Sequence, residues 1–177
     1  QEVDSHIDSV FTKSQDAVVY EGEKDGLHTR VFITREGLPT YETKDLGLIL
    51  IEMEEFAFDH RILITGREQT EYMKVVWQAT DKILPGIRAK MTHLTNGLIR
   101  FGDGQKMSSR TGNVTTAMDV LSAVREAVGE SGDAVRDEQI YLGAVKYEFL
   151  KHRLGGDIAF DPEGSVSLQG NSGPYLQ

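Results

Sequence analysis

RILITGREQTEYMKVVWQATDKIL, residues 61–84, changes its period at Gly66. Before that glycine the chain is a short apolar run of strand length. After it, Tyr72, Val75, Val76, Ala79 and Ile83 recur at helical spacing, which predicts a strand over 61–66 and a helix over 68–84. The stripe on that helix reads as plain core.

Working outward, KMTHLTNGLIRF (90–101) reads as a strand, a turn at Asn96-Gly97 and a second strand. Upstream, a helix is expected from about Thr43 to Phe56. AVVYEG (17–22) and TRVFIT (29–34) are β-rich runs around the turn signal EKDG, a hairpin by pattern, and residues 4–13 suggest the end of a helix. Beyond residue 115 the strands cease and two helices follow, over about 116–129 and 136–152. Strand, helix, strand and glycine-rich loop form the pattern of an open α/β sheet, which binds ligands at the carboxyl ends of its strands.

Composition bounds the possibilities. A chain of 177 residues with 39% hydrophobic content holds one ordinary core with room for a small appendage. Without cysteine it has no disulfide, thiolate metal site or thiol nucleophile, and it suits a reducing compartment. The longest apolar run, LGLILI at 46–51, is far short of the roughly 20 residues of a membrane span and runs into Glu52. A net charge of −9 argues against a general nucleic-acid binder with a basic face, so no DNA partner is expected. His6, His28, His60, His93 and His152 lack the spacing of metal ligands, and no structural metal is expected. The chain opens on Gln1 with neither an initiator Met nor a signal-peptide pattern, as expected of a piece cut from a longer chain.

The second of the two strands read in 90–101 delivers the chain into GDGQKMSSRTGNV, residues 102–114. Three glycines let this segment bend, and Lys106, Ser108, Ser109, Arg110 and free N–H groups all suit an anion, so it reads as a phosphate-facing loop. Gly, Ser, Asp and Asn also dominate ordinary surface turns, and composition leaves that alternative open.

KMSSR (106–110) resembles the KMSKS signature loop of class I aminoacyl-tRNA synthetases, and GQKMSSRTGNV is similar to its form in arginyl-tRNA synthetases. YETKD (41–45), GREQ (66–69), HLTNGLIRFG (93–102) and GNSGPYLQ (170–177) resemble further segments of that family in the same order. The resemblance implies the second half of a Rossmann-like class I synthetase catalytic fold, followed by a helical stem-contact segment. It divides the chain into 1–36, the tail of an inserted segment built as helix and hairpin; 37–115, the half-fold with the signature loop; and 116–177, the stem-contact region leading to an anticodon-binding domain.

The implied activity is that of a cytoplasmic arginine–tRNA ligase using L-arginine, ATP with Mg²⁺, and tRNA(Arg). A carboxylate suits arginine because two parallel hydrogen bonds match the guanidinium fork. The family's pocket residues correspond to Tyr41, Asp45 and Gln69, with Tyr41 and Asp45 one helical turn apart. Read without the family, Asp45 also suits a helix N-terminus, Tyr41 a half-buried core position and Gln69 a first helical turn. For ATP, the resemblance assigns Lys106 to charge on the phosphates and Met107 to backbone contacts near adenine. It makes Ser108, Ser109 and Arg110 further donors and puts His93 beside the adenine, although a histidine at a strand start also serves as a structural residue.

Two departures stand out. Ser109 occupies the position of the second signature lysine, and Thr111 follows Arg110 where many relatives have Lys, which shifts the catalytic load to Lys106 and Arg110. No His-x-Gly-His motif is present, and DSHIDS (4–9) is not one. The expectation is therefore an excised fragment, inactive alone. A related nucleotidyltransferase and a non-enzymatic interaction module are the rival readings.

Overall fold

A computed structural model describes residues 1–101 and 116–177. The chain divides into two compact units, Gln1–Thr95 and Asn96–Gln177, and is mixed α/β.

The first unit opens with α1 (Glu2–Ser5), then β1 (Thr12–Ser14), β2 (Ala17–Tyr20) and β3 (Arg30–Ile33). The three strands form an antiparallel sheet in the order β1-β2-β3. β2 and β3 are the hairpin read from the sequence, joined through a 3₁₀ turn over Gly22–Asp25 that ends on left-handed Gly26. The helical reading of 4–13 is corrected: the helix stops at Ser5, and Thr12–Ser14 pairs with β2. Ile7, Val10 and Phe11 mimic helical spacing, but Asp8 turns left-handed at φ 69°. That turn lets Phe11 bury against Phe32, with ring centroids 4.8 Å apart.

α2 (Tyr41–Phe56) follows, then β4 (Arg61–Gly66), α3 (Thr70–Ile83) and β5 (Met91–Asn96). β4 pairs with β5. Leu46 and Ile49 of α2 pack with Val75, Val76 and Ala79 of α3 in one core, and Tyr72 and Ile83 lie partly buried against it, so the predicted stripe is core-facing. β4 alternates: Leu63 packs inward, whereas Ile62 and Ile64 stay exposed. The N-terminus of α2 is tied to β3, because Thr40 Oγ1 donates to the carbonyls of Val31 (2.9 Å) and Phe32 (3.0 Å), and Thr43 Oγ1 donates to Phe32 O. At the other end Arg61 Nε donates to Glu52 Oε2 at 2.5 Å, joining β4 to α2. These ties fix the first turns of α2 relative to the hairpin.

The second unit contains β6 (Ile99–Phe101), α4 (Ala117–Val128), α5 (Ala134–Leu150), β7 (Ile158–Phe160), α6 (Pro162–Ser165) and α7 (Gly173–Leu176). Both long helices lie where the sequence predicts them, but strands do not cease after residue 115. β7 pairs parallel with β6, Ile99 opposite Ile158. A parallel pair needs a long crossover, which the helices supply. Val120, Val124, Tyr141, Ala144 and Phe160 form the core, with Phe149 stacked on Phe160 at 5.7 Å.

Candidate functional site

Tying α2 to β3 brings Arg30 of the hairpin to the first turn of α2, where its Nη1 lies 3.2 Å from Glu42 Oε1. α3 crosses the same end, and the Tyr72 hydroxyl donates to Asp45 Oδ2 at 2.5 Å. The Arg30 guanidinium lies over the Tyr72 ring, 5.3 Å from its centroid. Between these elements opens a cleft of about 470 Å³ lined by Arg30, Tyr41, Glu42, Asp45, Glu68, Gln69 and Tyr72.

Three residues singled out in the sequence, Tyr41, Asp45 and Gln69, thus meet in one cleft, and His93 is not among its lining residues. Tyr41 opens α2 and is 76% exposed, with the Lys44 ammonium 5.2 Å from its ring centroid. Asp45 sits in the second turn of α2, and its hydrogen bond goes to α3. Gln69 closes the 3₁₀ turn over Arg67–Gln69 that links β4 to α3, with its side chain in solvent. Sequence reasoning missed Arg30, Glu42 and Glu68 as lining residues and read Tyr72 as core alone. A tyrosine three residues after Gln69, on the same helical face, was the available signal.

The electrostatics are acidic. Three carboxylates among the described residues line the cleft against one guanidinium, and Arg30 is already held by Glu42. Among the described residues Asp45 and Glu68 have no cationic partner within ion-pair distance. Burial, the hydrogen bond to Asp45 and the Asp45 charge together push the Tyr72 hydroxyl well above the ordinary tyrosine range, so it remains a donor at neutral pH. The half-buried end of an acidic cleft with a fixed carboxylate suits a cationic, planar group.

His93 lies on β5. Its Nε2 is 2.8 Å from Thr65 Oγ1 on β4, and its ring meets Trp77 of α3 edge-on at 5.7 Å. Burial lowers its pKa. Lys106, Met107, Ser108, Ser109 and Arg110 lie outside the described residues. Among the described residues no group of three or more histidines and carboxylates is placed to hold a metal ion, and no helix is long and apolar enough to cross a membrane.

The family profile described as "tRNA synthetases class I (R), catalytic domain" matches residues 8–161, a span that includes every residue of the cleft. The chain belongs to this family of class I synthetase catalytic domains. The arginine–tRNA ligase of Borreliella burgdorferi is 34% identical over 157 residues, covering 84% of this chain and 27% of that protein. That of Treponema denticola is 30% identical over 186 residues, covering 93% of this chain and 31% of the relative. The chain thus spans about a third or less of the curated relatives it matches. Among solved structures, the arginyl-tRNA synthetase of Thermus thermophilus superposes with a TM-score of 0.79 at 18% identity, over 95% of this chain and 36% of that one. The Plasmodium falciparum arginyl-tRNA synthetase gives 0.74 at 16%, over 95% and 30%. At these identities the match concerns the class I catalytic fold alone.

Proposed function

We propose that this chain carries the amino-acid side of the active site of an arginine–tRNA ligase, which activates L-arginine with ATP and transfers it to tRNA(Arg). The observation that carries the reading is the meeting of Tyr41, Asp45 and Gln69 in one acidic cleft in which Asp45 has no cationic partner among the described residues. Asp45 takes the substrate guanidinium in a bidentate pair, while Tyr41 and Gln69 form the flanking walls. The reaction joins the arginine carboxylate to the α-phosphorus of MgATP and expels pyrophosphate. Cationic and N–H donors stabilise the charge that develops on the phosphate oxygens, a task we assign to Lys106 and Arg110, with Met107, Ser108, Ser109 and His93 on the nucleotide. The absence of cysteine fits a cytoplasmic setting. Alone, the 177-residue chain does not complete the reaction, since it holds no His-x-Gly-His segment.

The test is an NMR titration of the chain with L-arginine and with L-citrulline, which replaces the guanidinium by a neutral group of like shape. The unaltered chain prefers arginine. Asp45→Asn keeps the side-chain size and removes the charge, and losing one partner of a desolvated pair costs about 2–5 kcal/mol, roughly 30-fold or more in affinity. A folded Asp45→Asn variant that still prefers arginine removes Asp45 from the site.

A further inference from the structure

A carboxylate on the second turn of a helix can rotate, and a guanidinium fork requires it to hold one plane. The hydrogen bond from Tyr72 to Asp45 Oδ2 spans two helices and supplies that constraint, leaving Oδ1 without a hydrogen-bond partner among the described residues. Tyr72 is itself held on two sides: its ring packs partly buried against the core, and the Arg30 guanidinium covers its face while being anchored to Glu42. Arg30 is engaged instead by Glu42, one helical turn before Asp45 on α2, with its Nη1 3.2 Å from Glu42 Oε1. Among the described residues the cleft thus holds an arginine paired with Glu42 and, in Asp45, a carboxylate that Tyr72 orients and no cation pairs.

We propose that Tyr72 is a positioning residue for Asp45, fixing the plane of its carboxylate so that the cleft favours the forked guanidinium of arginine over the point-charge ammonium of lysine. The proposal rests on the arginine-site reading above. Its physical basis is the difference between the two cations. An ammonium with three rotatable donors is satisfied by a carboxylate in many orientations, whereas the planar guanidinium forms two parallel bonds only in one plane. Loss of the Tyr72 hydroxyl therefore costs arginine more than lysine. The raised pKa of Tyr72 agrees with a hydroxyl that stays protonated beside a carboxylate.

The experiment measures L-arginine, L-lysine and L-citrulline binding by NMR titration to the unaltered chain, Tyr72→Phe and Asp45→Asn, each checked by thermal melting. Tyr72→Phe loses about ten-fold or more in arginine affinity, the range for one hydrogen bond to a charged group, and changes little toward lysine, so the arginine preference collapses. A structural role alone weakens both ligands together or lowers only the melting temperature, and either result overturns the proposal. A second reading needs no variant: the Tyr72 hydroxyl proton of the unaltered chain exchanges slowly with water and shifts on arginine binding. Exchange as fast as that of free tyrosine overturns it. If the unaltered chain binds arginine no better than citrulline, the site reading itself fails and this proposal with it. If Asp45→Asn abolishes the preference for arginine over citrulline while Tyr72→Phe keeps the preference for arginine over lysine, the site stands and only the positioning role is lost.

Discussion

Gly173, at the start of α7, rests on the carbonyl of Gly143 in α5: a Cβ at residue 173 would lie 2.5 Å from that oxygen. The approach seats the C-terminal segment on α5, where Tyr147 also donates to Asn171 Oδ1, Lys151 Nζ to Asn171 O (3.2 Å) and Gln177 Nε2 to Gln139 O (3.1 Å). Backbone blocks the space, so no side-chain rotation relieves a substitution. Gly173→Ala is expected to destabilise the second unit by about 1–3 kcal/mol, the usual cost of overpacking, seen as a lower urea midpoint. An unchanged midpoint would show that the segment lifts away from α5 without cost.

The N-terminus of α4 carries a reciprocal cap. Asp119 N donates to Thr116 Oγ1 at 3.2 Å, and Thr116 N donates to Asp119 Oδ2 at 2.6 Å. Thr116→Ala should cost about 1 kcal/mol, measured as a fall in melting temperature at neutral pH. The bonds from Thr116 hold the Asp119 carboxyl below its ordinary value. A carboxyl depressed in the folded state stabilises above its unfolded pKa, and that stabilisation is lost as pH falls through the folded value. Asp119→Asn should therefore flatten the acid limb of the melting profile, and a limb of unchanged slope would assign it to other carboxylates.

His93 predicts a second pH dependence of the same sign for a different reason. Burial depresses its pKa below 6.5, so the folded state holds the ring neutral while the unfolded chain takes up a proton as pH drops below that value. Its contribution is complete above 6.5 and is lost as pH falls toward the folded pKa. His93→Gln retains a hydrogen-bonding group for Thr65 and removes the titration. The variant should lose less melting temperature than the unaltered chain on going from pH 7 to mildly acid conditions, and equal losses would place the titration elsewhere.

The parts of this molecule legible in the sequence are those governed by local periodicity. The strand ending at Gly66, the helix with Val75, Val76 and Ala79 inward, and the hairpin around Gly26 follow from residues within a few positions of one another. Asp45 and Tyr41 could be paired on paper because the family resemblance in YETKD names both and their spacing is one helical turn. Tyr72 could not be paired with Asp45, nor Arg30 with Glu42, since these contacts exist only once α2 and α3 pack and the hairpin is tied to α2. β7 escaped notice because three residues, IAF, carry no period of their own, and their partner β6 lies across two helices. The 4–13 segment misled because its apolar spacing suits a helix, while burial of Phe11 needed a turn that spacing does not encode.

The last prediction separates binding from chemistry. The residues that contact arginine as proposed lie on α2, the turn after β4 and α3, all within residues 41–83. Adenylation also needs the nucleotide held in line with the arginine carboxylate, and positioning accounts for about 7–11 kcal/mol of barrier lowering in well-oriented systems. Lys106 is the assigned group on the phosphates, and the family's His-x-Gly-His segment is not in this sequence. The 177-residue chain should therefore bind arginine over citrulline and yet show no arginine-dependent exchange of pyrophosphate into ATP above background. Exchange that depends on arginine and disappears in Asp45→Asn would show that these residues suffice for activation. Recognition and chemistry would then reside in the same 177 residues.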